Sequence, residues 1–399
     1  MKFNNFKNVC LLALAAVLLG LVLYGCVFNC PVNDINVGAS VAVAALVFAV
    51  GMYCMGGYIS PIAARHNLRK AGFTNREGQV PWLVAKSRDA KNKNVMLLEF
   101  ENCGIPREMW EEKKETLEAA LNIFITKIKD GKDRRHVVIH AVPADMGLPD
   151  VAHWNPDYLN GLGDFALVLG QGLAGLVTVN LAVTPHVLIG GSTGSGKSIL
   201  LKLLLMQSVQ KGASVYIADF KGGIDFCGRW QRECHLIFDM VKLRDTLKEL
   251  VGELETRKEV LRAAECANIR EYNERIRPIF RRIIIACDEV AELLDKTGLS
   301  KEGKEKIDEI VGYLSTIARQ GRAFGLHLIL ATQRPDATIL PGQIKNNIDC
   351  RICGRADNVL SMIILDNADA ADQIPKDAQG RFLMHDGTVF QGFIFCDGE

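Results

Sequence analysis

At 399 residues the chain has room for more than one domain beyond any membrane segment. Its formal net charge of +1 says nothing about a nucleic-acid partner, so any affinity for DNA must come from local patches. The 12 cysteines are scattered rather than framed, the usage of a reducing cytoplasm rather than of a disulfide scaffold.

Val9 to Phe28 carries no charged side chain and is about 20 residues long, enough for a helix to cross ~30 Å of hydrocarbon. Val37 to Ile59 repeats the pattern after a short linker with Pro31, Asn33, Asp34 and Asn36. Lys2 and Lys7 precede the first span, and Arg65, Arg69, Lys70 and Arg76 follow the second. The positive-inside rule therefore predicts a two-helix transmembrane hairpin over residues 1–60 in the cell (inner) membrane, with both termini cytoplasmic. A cleaved signal peptide fits less well, since no Ala-x-Ala site follows the first span and a second apolar span does. Leu23-Tyr24-Gly25-Cys26 faintly resembles a lipoprotein cleavage site, with Tyr24 an awkward residue there. Residues 61–80 read as a basic juxtamembrane linker, either touching anionic head groups or forming a solvated tether. Residues 81–164 read as a small α+β domain. Its expected parts are a strand from Val95 to Phe100, an amphipathic helix from Pro106 to Lys129, and a strand from His136 to His140. Trp110, Leu117, Leu121, Phe124, Ile125 and Ile128 would share the core-facing side of that helix.

Residues 165–399 carry the chemistry. Phe165 to Val179 reads as two short strands around a Gly170–Gly175 turn. His186-Val187-Leu188-Ile189 reads as a buried strand feeding Gly191-Ser192-Thr193-Gly194-Ser195-Gly196-Lys197-Ser198, and Ile199 to Leu205 as the helix that follows. Glycines let backbone amides turn inward onto a polyphosphate, and the helix N-terminus adds partial positive charge. Lys197 would reach the β- and γ-phosphates and the Ser198 hydroxyl would ligate Mg²⁺, so the loop implies ATP and Mg²⁺. A chance glycine-rich turn would not supply all eight positions between strand and helix. Val215 to Asp219 is the next parallel strand, and Val241 to Glu265 a long charged helix facing solvent or another subunit.

Arg281 to Glu289 is a second buried strand ending in two carboxylates. Asp288 is assigned to the metal shell, and Glu289 is placed to polarise the attacking water. Lys296, Lys301, Lys304 and Lys306 follow in what reads as a polar loop. A pore loop contacting DNA phosphates needs such cations, while Glu302 and Glu305 among them favour a solvated loop. His327 to Thr332 is a third strand, ending at Gln333, which is suited to sense the γ-phosphate. Cys350-x-x-Cys353 has redox or half-zinc spacing, but without a second Cys/His pair nearby it reads as two buried residues on a strand. Cradle, metal ligand, base and sensor on successive strands are the arrangement expected of a P-loop ATPase.

Pro185 to Gly191 running into the loop, Asp219-Phe220-Lys221-Gly222-Gly223, Asp288-Glu289 and Gly321 to Pro335 together resemble the FtsK/SpoIIIE family of DNA translocases. Ile344 to Ile348 and Ile364-Leu365-Asp366 extend the likeness across 165–395. The resemblance implies an α/β, RecA-like P-loop ATPase core, a ring homohexamer, and ATP-driven movement of double-stranded DNA through its pore. It also implies an arginine donated by a neighbouring subunit. Arg319, Arg322, Arg351 and Arg355 are candidates, of which Arg322 and Arg355 are preferred; family members often place an arginine where this chain has Met362. Two spans, a short linker and an end at Glu399, without a winged-helix module, resemble the FtsK-like coupling proteins of Gram-positive conjugative plasmids and integrative elements. Such proteins bring relaxase-bound DNA to a membrane transfer channel, and Asp336 to Lys345 has their character. A chromosome-partitioning pump, a protein-secretion ATPase and a nucleotide-gated scaffold for a relaxase remain the alternatives.

Overall fold

A computed structural model describes residues 59–90, 92–333 and 341–395. Both expected membrane spans lie outside the described residues, apart from Ile59. Among the described residues no helix is long and apolar enough to cross a membrane. The chain divides into two compact units, residues 1–147 and 148–399.

The first unit begins with helix α1 (Pro61–Lys70), where the Ser60 hydroxyl accepts the Ala63 N–H at 3.1 Å and Pro61 fills the first turn. Ala64 and Leu68 are buried, so this stretch is part of a folded unit and not only the tether the sequence suggests. Four strands follow: β1 (Trp82–Arg88), β2 (Met96–Glu101), β3 (Ile123–Asp130) and β4 (His136–Pro143). They form an antiparallel sheet in the order β1-β2-β4-β3. Two short helices, α2 (Arg107–Glu112) and α3 (Lys114–Leu121), connect β2 to β3. The single helix expected over 106–129 therefore stops at Leu121. Asn122 takes the left-handed conformation (φ 53°), a site that asparagine tolerates, and the β-branched run after it extends as β3. Leu68, Phe100, Trp110, Leu117, Ile123 and Ile139 fill this unit's core.

The second unit is built on one sheet. Its strands are β5 (Ala152–His153), β6 (Ala166–Gly172), β7 (Gly175–Asn180), β8 (Val187–Gly190), β9 (Ser214–Ala218), β10 (His235–Ile237), β11 (Ile283–Cys287), β12 (Leu326–Thr332), β13 (Cys350–Cys353), β14 (Arg381–Met384) and β15 (Val389–Ile394). The order is β10-β9-β11-β12-β8-β13-β14-β15-β6-β7, and β10 through β13 run parallel. Parallel strands are covered on both faces, which explains their unbroken apolar runs. Ile284, Ala286, Ile329 and Ala331 pack under α4 (Lys197–Gln210). Ile283, Ile285, Leu328 and Leu330 pack on the other face under α5 (Met240–Ala263) and α6 (Lys301–Phe324). The expected boundary at 164/165 moves to 147/148. β5 pairs with β15, and the rings of Trp154 and Tyr158 lie against Phe393, so residues 148–164 belong to this unit. All six parallel strands end on one edge, where ligands bind in open α/β sheets.

Candidate active site

The loop after β8 runs along that edge into α4. Gly196 adopts φ +95°, and a Cβ there would stand 3.1 Å from the Gly380 Cα, so backbone freedom and close approach both call for glycine. A second brace is the Gly380 N–H, which donates to the Ser195 carbonyl at 3.0 Å. Residues 192–199 with Lys221, Gln333 and Gln379 line an open cavity of about 290 Å³.

Lys197 is almost fully buried, and its ammonium donates to the Asp288 carbonyl at 2.7 Å and to Asp288 Oδ1 at 2.9 Å. The Ser198 hydroxyl lies 3.0 Å and 3.3 Å from the two Asp288 carboxylate oxygens. Burial would raise the Asp288 pKa, but the charges of Lys197 and Lys221 outweigh it and hold the carboxyl below its usual range. Glu289 is also buried; its Oε1 accepts from the Thr332 hydroxyl at 2.7 Å, and Oε2 from the Gln333 N–H at 3.0 Å. The Gln333 side chain in turn accepts from Thr193 Oγ1 at 3.1 Å, tying the end of β12 to the loop after β8.

Ser198 and Asp288 offer two hard oxygen donors side by side, which fits Mg²⁺, an ion usually held by one or two protein ligands plus phosphates and water. Among the described residues no cluster of three or more His, Cys, Asp or Glu could hold a metal. Lys197, Ser198, Asp288, Glu289 and Gln333, proposed separately from sequence, thus meet at one edge.

The arginines and surface lysines fall elsewhere. Arg355, expected to reach a neighbouring subunit, is bonded within its own chain, to the Thr193 carbonyl at 2.7 Å, the Lys376 carbonyl at 2.8 Å and Ser192 Oγ at 3.3 Å. Arg351 pairs with Asp366. Arg319 bonds the Ser315 carbonyl at 3.2 Å. Arg322 is exposed in the last turn of α6, just before β12 begins, at the sheet edge opposite the loop. Lys301, Lys304 and Lys306 lie in the first turns of α6 and not in a loop, because Ser300 caps that helix through the Gly303 N–H. Lys296 pairs with Asp308, Lys301 with Glu305 and Lys306 with Glu302. Cys350 and Cys353 are buried on β13, and burial pushes both thiols up to about 12.

Two residues of the site are named in the sequence motifs but given no role there. Thr332 fixes Glu289, and Lys221, on the loop after β9, reaches Asp288 Oδ2 at 3.2 Å. A lysine two positions beyond the acid that ends a parallel strand was the available signal.

Residues 163–337 match the FtsK/SpoIIIE family. A DNA translocase FtsK of Pseudomonas aeruginosa is 29% identical over 286 residues, 63% of this chain and 34% of that protein. One of Staphylococcus aureus is 32% identical over 203 residues, 46% of this chain and 24% of that protein. The chain therefore spans about a third or less of these curated relatives' length. The solved structure of the pCW3 conjugation coupling protein TcpA, in a monomer form with ATPγS, matches with a TM-score of 0.62 and 36% identity. That match covers 85% of this chain and 96% of the other.

Proposed function

This chain belongs to the FtsK/SpoIIIE family, and on that premise we propose that it is an ATP-hydrolysing motor that moves double-stranded DNA as the coupling protein of a conjugative plasmid or integrative element. The observation that carries the reading is the meeting of Lys197, Ser198, Asp288 and Glu289 at the carboxyl edge of one parallel sheet. Lys197 binds and orients the terminal phosphates. Thr332 and the Gln333 N–H hold the Glu289 carboxylate, which orients the attacking water and takes its proton. Mg²⁺, held by Ser198 and Asp288, would neutralise charge on the phosphates when bound. The likeness to TcpA over most of both chains supports the coupling role. The two charge-free runs at 9–28 and 37–59 support a membrane anchor with the motor on the cytoplasmic side, where ATP is supplied. Assembly as a homohexamer, and delivery of DNA from a relaxase to transfer-channel proteins, belong to the same proposal.

The test is ATP hydrolysis by the full chain in detergent, with and without long linear duplex DNA, at two salt concentrations. The expected result is strong stimulation by duplex that weakens as salt rises, because phosphate contacts release counterions. Lys197→Ala should abolish hydrolysis. Hydrolysis indifferent to duplex DNA at both salts would overturn the motor reading while leaving the nucleotide site standing.

A further inference from the structure

Among the described residues, Lys221 is the one lysine besides Lys197 that lines the nucleotide cavity, and the two are held very differently. The Lys197 side chain is 7% exposed and makes two bonds to Asp288; that of Lys221 is 41% exposed and makes one, at 3.2 Å. An ion pair exposed to that degree contributes little to folding. Asp288 already has Lys197 and Ser198 as close partners, so the half-exposed Lys221 pair adds little to the fold.

The backbone nevertheless aims Lys221 with care. Asp219, 3% exposed at the end of β9, accepts the Lys221 N–H at 2.9 Å and the Gly223 N–H at 3.0 Å. That turn needs φ +78° at Gly223, where a Cβ would stand 2.9 Å from the Phe238 ring. A buried carboxylate thus fixes the start of the Lys221 side chain, while its half-exposed ammonium rests on Asp288 by a single bond. Its position is the carboxylate side of Lys197, facing Asp288 and Glu289 in a small cleft that Asp219, Phe220 and Glu292 also line. The terminal phosphate of a nucleotide on this loop would end there, since the loop lysine spans the β- and γ-phosphates.

We propose that Lys221 is a specificity-determining lysine that binds the terminal phosphate of a nucleoside triphosphate and so separates triphosphate from diphosphate at this site. It rests on the nucleotide-site reading above. Lys197 serves both nucleotides; Lys221 gains a partner only when the third phosphate is present, and otherwise stays with Asp288.

Equilibrium binding of fluorescent ADP and fluorescent ATPγS to the full chain, with divalent metal chelated, tests this through side chains alone. Lys221→Met should weaken ATPγS about tenfold, the effect of one charge-assisted bond, and leave ADP within about twofold. Lys221→Arg should keep the preference for ATPγS to within about threefold. Equal weakening of both nucleotides, or of neither, overturns the assignment while the site survives. Lys197→Ala serves as the reference and should lose both nucleotides. A wild-type chain that binds neither would bring down the nucleotide-site reading and this inference with it.

Discussion

The two edges of the parallel sheet both bury charged and polar side chains, but they satisfy them differently. At the edge where the strands begin, His186 accepts the Leu328 N–H at 2.9 Å through Nδ1, which leaves Nε2 as the donor to the Ala318 carbonyl at 3.1 Å. His327 faces the Arg282 guanidinium through Nε2 at 3.1 Å, so its Nδ1 donates to the Pro185 carbonyl at 2.9 Å. Arg282 closes the set on Asp164 at 2.7 Å. Each imidazole is locked in one neutral tautomer, mostly by backbone. At the edge where the strands end, Lys197, Lys221 and Ser198 gather on the Asp288 carboxylate, and Glu289 takes the Thr332 hydroxyl and the Gln333 N–H. Side-chain partners can trade for a phosphate or a water; a peptide carbonyl fixed in the backbone cannot. Buried polarity marks chemistry at one edge and architecture at the other.

The sharpest break of this comparison is Glu289→Gln. It keeps the shape and one acceptor for Thr332 and the Gln333 N–H but removes the base. Hydrolysis should fall about a thousandfold, in line with losing a general base, while nucleotide affinity and melting temperature hold. Single-turnover hydrolysis set against equilibrium binding checks it. A parallel drop in binding would mean that Glu289 is architectural, like the histidines opposite.

Acid should act on the other edge. Burial lowers the His186 pKa to about 4, with the Ala318 bond and the charge of Asp349 offsetting it only in part. Burial first, then the positive charge of Arg282, hold His327 well below the usual histidine range. Unfolded, both titrate near 6.5, so above that pH they add no slope to stability. As pH falls below about 6.5 the unfolded chain takes up protons that the fold refuses, and stability drops until His186 protonates near pH 4. For His186 alone that is about 3 kcal/mol between those limits. Thermal melts from pH 7.5 to 4.5 should show the slope, and His186→Gln should lower it while the His327 share remains.

How much of this was legible in the sequence follows the reach of each signal. The nucleotide loop, Asp288, Glu289 and Gln333 each sit where an apolar run stops, a local mark, and the parallel sheet sets them side by side. Lys221 and Asp288 are 67 positions apart, and Arg355 and Ser192 are 163 apart, so those contacts exist only through the crossover order β9-β11-β12-β8-β13. Strand β1 buries only Leu83 among its seven residues and leaves no alternation to read. The misread helix over 106–129 has a more specific cause. A bulge between Ile125 and Lys127 puts both Ile125 and Ile128 on the core side of β3, three positions apart. That spacing continues the helical period of Leu117 and Leu121 and conceals the change to strand.

Arg355 tests the comparison where its two halves meet, because it brings the fixed style of the far edge to the nucleotide loop. Besides its three guanidinium bonds, its own carbonyl accepts both the N–H of Ser192 at 2.7 Å and the Ser192 hydroxyl at 2.9 Å. The end of β13 is thereby stitched to the first turn of the loop from both sides. Arg355→Met leaves the carbonyl bonds and removes the guanidinium, so the loop should loosen without unfolding. Affinity for ADP and ATPγS should fall together by about fivefold, the worth of an ordinary hydrogen bond. The measurement belongs at chain concentrations low enough to keep the protein monomeric. There a residue acting on a neighbouring subunit has no site to act on, so any loss of affinity is made within one chain. Unchanged monomer affinity, combined with a loss of hydrolysis only on assembly, would return Arg355 to the intersubunit role that the sequence suggested.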